Sequence, residues 1–135
     1  MGNTILIVED DQAIRGILAN AFRKRGFEVA EAGDGQSGSE CVTSDNKYAI
    51  ILLDIMMPLG GGERVLKSLR NQDKDCPSVI IMTNLAEAEA RKIVNDYQVE
   101  EIITKANHKL RDIVENVIGK VNGESSGKAM SDIDV

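Results

Sequence analysis

Five short apolar runs, each followed by a stretch with helical spacing, succeed one another along this chain of 135 residues. That alternation constrains the fold more than any other feature. Repeated strand–helix units give an α/β domain with a parallel sheet and right-handed crossovers. The first run, Thr4-Ile5-Leu6-Ile7-Val8, is a buried strand that ends in three acids, Glu9-Asp10-Asp11. Ile14, Ile17, Leu18, Ala21 and Phe22 follow at i, i+3, i+4, i+7 and i+8, which is one face of a helix. An acid at its start suits N-capping and the helix dipole. Arg23-Lys24-Arg25-Gly26 closes it with cations and a glycine terminator.

Phe27 to Ala32 is mixed in polarity and reads as an edge strand. After the turn Gly33-Asp34-Gly35, Gln36 to Thr43 is a weak helix with Ser37, Gly38, Cys41 and Val42 facing inward. The third run, Ala49 to Pro58, carries continuous apolar residues straight into Asp54. Pro58-Leu59-Gly60-Gly61-Gly62 is expected to be a flexible loop. A third helix then runs from about Glu63 to Arg70, with Val65, Leu66 and Leu69 inward. Pro77 starts the fourth strand, Ser78 to Met82, which ends at Thr83-Asn84. The fourth helix carries Ala86, Ala90, Ile93, Val94 and Tyr97. Val99 to Thr104 is a half-polar fifth strand, followed at once by Lys105. Leu110, Ile113, Val114, Val117, Ile118 and Val121 mark the last helix. Residues 1–121 thus form one domain. Residues 122–135 are rich in Gly, Ser and charge and read as a disordered tail or the stub of a linker.

Strands buried on both faces read as unbroken apolar runs. The first, third and fourth do so and belong at the centre, while the second and fifth belong at the edges. The order 2-1-3-4-5 satisfies this, a doubly wound, flavodoxin-like (βα)5 arrangement. Its topological switch point lies between strands one and three, where such sheets bind ligands at strand carboxyl ends.

Collected at those ends are Glu9 and Asp10 from strand one, Asp54 from strand three, Thr83 from strand four and Lys105 from strand five. Each alone has an ordinary reading as a cap, a strand end or a solvated charge, and Asp11 is expected to be only a cap. Together they are chemistry. Three acids repel one another and call for a cation. Magnesium takes hard oxygen ligands and keeps several waters. A carboxylate beside it can attack phosphorus while the metal and a lysine offset charge on the phosphoryl oxygens.

The chain resembles the response-regulator receiver domains of two-component signalling, of the stand-alone chemotaxis type, from about Asn3 to Val121. The motifs are Ile-Leu-Ile-Val-Glu-Asp-Asp, Leu-Leu-Asp-Ile-Met-Met-Pro, Ile-Ile-Met-Thr and Ile-Ile-Thr-Lys. The resemblance implies that Asp54 is the phosphoacceptor and that Glu9 and Asp10 form the acidic pair, Asp10 being the more direct Mg2+ ligand. It implies that the Met56 carbonyl completes the metal's protein ligands. Thr83 becomes the switch hydroxyl and Lys105 the phosphate partner. The implied donor is a phosphohistidine on a sensor histidine kinase or phosphotransfer protein. The readout would be a protein-binding face made by the fourth helix, fifth strand and last helix.

The family pattern is broken at three places. Ala106 stands where receivers usually have a cis proline after the lysine. A cis bond without proline costs about 2.5–4 kcal/mol, so Lys105-Ala106 is expected to be trans. Ile102 replaces the usual aromatic switch residue. Asn84 replaces a small residue after the threonine. Met56 and Leu85 occupy the two positions that tune hydrolysis in the family. Both are apolar and neither can position a water, so a long-lived phosphoryl group is expected.

The remaining composition narrows the alternatives. A formal net charge of -6 argues against direct nucleic-acid binding by this chain. Cys41 and Cys76 fit no metal or disulfide framework, consistent with reduced thiols in a cytoplasmic protein. No apolar run reaches membrane-spanning length, and the N-terminus lacks a signal-peptide pattern. His108 reads as a surface residue opening the last helix. A Mg-dependent phosphohydrolase would want a second Asp two residues beyond a nucleophile after strand one. Gln12 stands there instead. A flavin carrier would want aromatics and a phosphate loop where this chain has three acids. A non-phosphorylated interaction module with a relic site sits poorly with a full set of site residues. The expected activity is that of a signalling domain that takes on and loses its own phosphoryl group, not of a turnover enzyme.

Overall fold

The structure is a computed structural model that describes residues 4–44, 47–72 and 76–123. Five strands, β1 (Thr4–Val8), β2 (Glu28–Ala32), β3 (Ile50–Leu53), β4 (Ser78–Thr83) and β5 (Glu101–Thr104), pair in parallel in the order β2-β1-β3-β4-β5. The helices are α1 (Gln12–Lys24), α2 (Gly35–Thr43), α3 (Gly61–Arg70), α4 (Glu87–Val94) and α5 (Leu110–Val121). None of them is long and apolar enough to cross a membrane among the described residues.

Alternation along each strand divides the core into two layers. Leu6, Val8, Ile51, Leu53, Val79 and Ile81 pack with Val42 of α2, Val65, Leu66 and Leu69 of α3, and Ala90 and Val94 of α4. On the other face Ile5, Ile7, Ile50, Leu52, Ile80 and Met82 pack with Leu18, Ala19 and Phe22 of α1 and with Ile113, Val114, Val117 and Ile118 of α5. Both faces of the three central strands are therefore covered, which is why their sequences are apolar except at the strand ends, Thr4, Ser78 and Thr83. Each fully buried aliphatic side chain contributes about 1.5–3 kcal/mol.

The helix stripes match the periodicity, with corrections. On α1 Ile17 is 55% exposed. Leu18, Ala19 and Phe22 are buried, Ile14 and Ala21 pack half-buried against the same core layer, and Arg15 beside them is only 18% exposed. Arg15 is held there by polar partners described below. Gly61 and Gly62 are not loop. They are buried in the first turn of α3, where the chain passes so close to the backbone of Asp54 and Ile55, just after β3, that a side chain has no room. Ala86 is the exposed N-cap of α4, and Tyr97 lies beyond that helix, half-buried against the core. His108 precedes α5, which begins at Leu110, because residues Lys105–Asn107 form a 3-10 turn first. The expected tail falls, apart from Asn122 and Gly123, outside the described residues.

Candidate functional site

The register assembles the site. Val8 pairs with Leu53, and the Asp54 N–H donates to the Val8 carbonyl at 2.9 Å. The residues that follow these partners, Glu9 and Asp54, therefore emerge side by side at the switch point. Thr83 pairs with Thr104 at the ends of β4 and β5, and Lys105 comes next. Lysine's four-carbon stem reaches from there across the end of β4 to the two central strands. Its Nζ lies 2.9 Å from Asp54 Oδ2 and 2.6 Å from Glu9 Oε1. The first contact is a hydrogen bond, and the second is an ion pair whose angle falls outside hydrogen-bond geometry.

Burial at this cluster is unusual for charged groups. Glu9 and Thr83 are fully buried and Asp54 is 4% exposed, while Asp10 faces solvent. Buried charges persist only when paired and hydrogen-bonded, and these are. Asp54 Oδ1 accepts from the Met56 N–H at 3.0 Å, and Glu9 Oε2 accepts from the Asp11 N–H at 3.0 Å. Burial pushes the Glu9 carboxyl above the usual carboxylate range. Lys105 and the Asp11 N–H offset this only in part, and the Asp54 charge adds to it. For Lys105, burial pulls the pKa down, but Glu9 and Asp54 outweigh it and hold the ammonium above the usual lysine value.

Carboxylate oxygens of Glu9, Asp10 and Asp54 lie within 4.8 Å of one another. Against these three carboxylates stands one ammonium, so negative charge remains in excess. The donors are hard oxygens, and exposed Asp10 leaves one side open to water. That set fits Mg2+, which binds through one or two carboxylates and retains waters.

The other expected residues fall as follows. Thr83 ends β4, its hydroxyl accepting from the Leu85 N–H at 3.3 Å. Met56 sits at the site through its backbone, and its side chain is 57% exposed. Asp11 is the α1 N-cap, accepting from the N–H groups of Ala13 and Ile14, as expected. Lys105-Ala106 is trans. Without the proline, the 3-10 turn positions Lys105, closed by His108 N–H to the Lys105 carbonyl, while the His108 ring meets the Thr104 carbonyl at 3.0 Å. Ile102 is buried in the core layer of α2–α4. Asn84 is exposed.

One participant was not anticipated. Arg15 Nη1 donates to the Glu9 carbonyl at 2.8 Å, and its Nε pairs with Glu31 at 3.2 Å. The available signal was a cation in the second turn of a helix, near the end whose dipole disfavours it.

With this geometry in place, the comparisons are specific. Residues 5–118 match the model of the response regulator receiver domain. The chain belongs to that family. Over 81 residues it is 40% identical to the transcriptional regulatory protein SrrA of Staphylococcus aureus, covering 60% of this chain and 33% of that protein. The chain thus spans no more than about a third of that relative. A CheY-like receiver domain protein from Methanospirillum hungatei shares the fold with a TM-score of 0.76, at 24% identity over 91% of this chain and 96% of the other. The response regulator TrrA from Thermotoga maritima, solved in complex with Mg(2+)-BeF, matches with a TM-score of 0.73. Its identity is 25%, over 88% of this chain and 98% of that one.

Proposed function

We propose that this receiver domain accepts a phosphoryl group on Asp54 from a phosphohistidine of a sensor histidine kinase or phosphotransfer protein, in a Mg2+-dependent reaction. The observation that carries the reading is the Lys105 ammonium held between Asp54 and Glu9 beside an oxygen-lined cation site. An Asp54 carboxylate oxygen attacks phosphorus. The new O–P bond forms as the P–N bond of the donor breaks, and the electron pair returns to the imidazole. Glu9, Asp10, Asp54 and the Met56 carbonyl would hold Mg2+, which when bound would supply Lewis-acid stabilisation of charge on the phosphoryl oxygens. Lys105 exchanges its contact with Asp54 Oδ2 for one with the phosphoryl group. The Thr83 hydroxyl leaves the Leu85 N–H and donates to the same group.

The modification adds roughly -1.5 to -2 charges and new acceptor oxygens to one strand end. It biases the segments after β3 and β4, and the face of α4, β5 and α5 changes its affinity for a downstream protein. The domain is a cytoplasmic switch, not a turnover enzyme, and its net charge of -6 does not favour direct contact with nucleic acid.

The test is incubation with a small phosphodonor and MgCl2, followed by intact mass. One added phosphoryl group is expected, absent with EDTA and absent in Asp54→Ala. No adduct under any condition would leave an interaction module that works without phosphorylation.

A further inference from the structure

Among the described residues, Arg15 is a charged side chain outside the acidic loop that hydrogen-bonds to the backbone of Glu9. It lies on α1 beside the buried Leu18, Ala19 and Phe22 and is only 18% exposed there. Its guanidinium is used at two points. Nη1 donates to the main-chain carbonyl of Glu9 at 2.8 Å, and Nε meets Glu31 Oε1 at 3.2 Å. Glu31 lies one residue before the end of β2 and is also held by Arg23 at 3.1 Å. The space beside the guanidinium is kept by Gly33, where an added Cβ would stand 3.1 Å from Nη1.

The consequence lies in the turn from β1 into α1. The Glu9 N–H donates to the Ala32 carbonyl at 3.0 Å, and the Glu9 carbonyl accepts from Arg15. Both backbone groups of Glu9 are therefore fixed, which sets the direction in which the chain leaves toward Asp10. Glu9 turns in, fully buried, and Asp10 turns out to the open side of the oxygen cluster. A guanidinium suits this task because its planar fork serves a carbonyl and a carboxylate at once. A lysine ammonium is a point charge with no such fork.

We propose that Arg15 is a positioning residue for the divalent-cation site, holding the Glu9–Asp10 turn through the Glu9 carbonyl while Glu31 orients its fork. This rests on the reading of Glu9, Asp10 and Asp54 as a Mg2+ site. Partners that orient metal ligands without touching the metal typically change affinity by 10–100-fold when removed.

The experiment is calorimetric titration of the unphosphorylated protein with MgCl2, with amide NMR shifts of Glu9, Asp10 and Asp11 followed in parallel. Arg15→Ala is expected to raise the Mg2+ Kd about tenfold and to move those amide signals before any metal is added. Arg15→Lys should fall between Arg15→Ala and wild type, and it carries the test if the alanine variant does not fold. Arg91→Ala removes an exposed pair with Glu87 on α4 and should leave the Kd unchanged. If Arg15→Ala lowers thermal stability but binds Mg2+ as the wild type does, Arg15 is structural only and the inference falls alone. If the wild type binds no Mg2+, the inference and the reading beneath it both fall.

Discussion

Lys105 Nζ lies 2.9 Å from Asp54 Oδ2, although the two residues are 51 positions apart in sequence. The contact depends on the whole strand order, since Lys105 starts at edge strand β5 and reaches past β4. Removing one member of a buried pair leaves the other charge uncompensated. Lys105→Met should therefore destabilise the metal-free protein. About 3 kcal/mol is expected, the low end for such pairs, because exposed Asp10 keeps the pocket open to water. Mg2+ can replace the lost positive charge, so urea midpoints in EDTA should drop sharply and recover in part with MgCl2. Equal midpoints for variant and wild type in EDTA would contradict this account.

Two glycines separate close packing from helix propensity. A Cβ on Gly62 would stand 2.5 Å from the Asp54 carbonyl oxygen, so α3 can sit against the Asp54 backbone only because that atom is missing. Gly62→Ala should cost roughly 1–3 kcal/mol and slow uptake of phosphoryl from a small donor. Gly16, inside α1, has nothing within 4 Å of an added Cβ. Gly16→Ala should stabilise by about 0.5–1 kcal/mol. Chemical denaturation of the two variants checks both signs at once.

The sequence made the sheet order and the five strand-end residues readable because both follow from local patterns. Unbroken apolar runs mark central strands, and polar residues that end such runs must lie at one edge of a parallel sheet. Arg15 and Gly62 were not readable in the same way. On α1 the apolar count rightly selects Ile14, Leu18, Ala21 and Phe22, but it also selects exposed Ile17 and passes over half-buried Arg15. What holds Arg15 inward is the Glu9 carbonyl just after β1 and the Glu31 carboxylate on β2, contacts that exist only once the strands are adjacent. Gly61 and Gly62 look like loop for a related reason. Glycine lowers helix propensity, and the close approach that requires it is a tertiary fact.

Burial holds the Glu9 carboxyl above the ordinary carboxylate range, and Lys105 and the Asp11 N–H offset it only in part. Between the ordinary value of 4.5 and the raised folded value, the native state binds a proton that the unfolded chain does not. Stability then falls as pH rises. Glu9's contribution is present below 4.5 and is lost as pH climbs through the folded value. In EDTA, the wild-type urea midpoint should decline relative to Glu9→Gln as pH rises through the weakly acidic range. Mg2+ should act in the opposite sense, stabilising the wild type more as Glu9 ionises. Parallel midpoint profiles for the two proteins would show that Glu9 does not titrate in this way.

The lifetime of the phosphoryl group turns on what can hold a water in line with the O–P bond. The two positions to which the family resemblance assigns the tuning of hydrolysis hold Met56, two residues after Asp54, and Leu85, two after Thr83. Neither side chain carries a hydrogen-bonding group strong enough to orient a nucleophile. The Met56 N–H is already committed, donating to Asp54 Oδ1 at 3.0 Å. Hydrolysis should therefore run slowly, with purified phosphoprotein surviving for many minutes in MgCl2. Met56→Glu places a carboxylate at a position where the native side chain is 57% exposed, so it can be installed without repacking the core. It should shorten the lifetime severalfold while leaving uptake from a small donor within about twofold, because a general base contributes to water attack and not to attack by Asp54. Time courses of intact mass after donor removal give both rates. Loss within seconds in the wild type would mean that some other group positions the water.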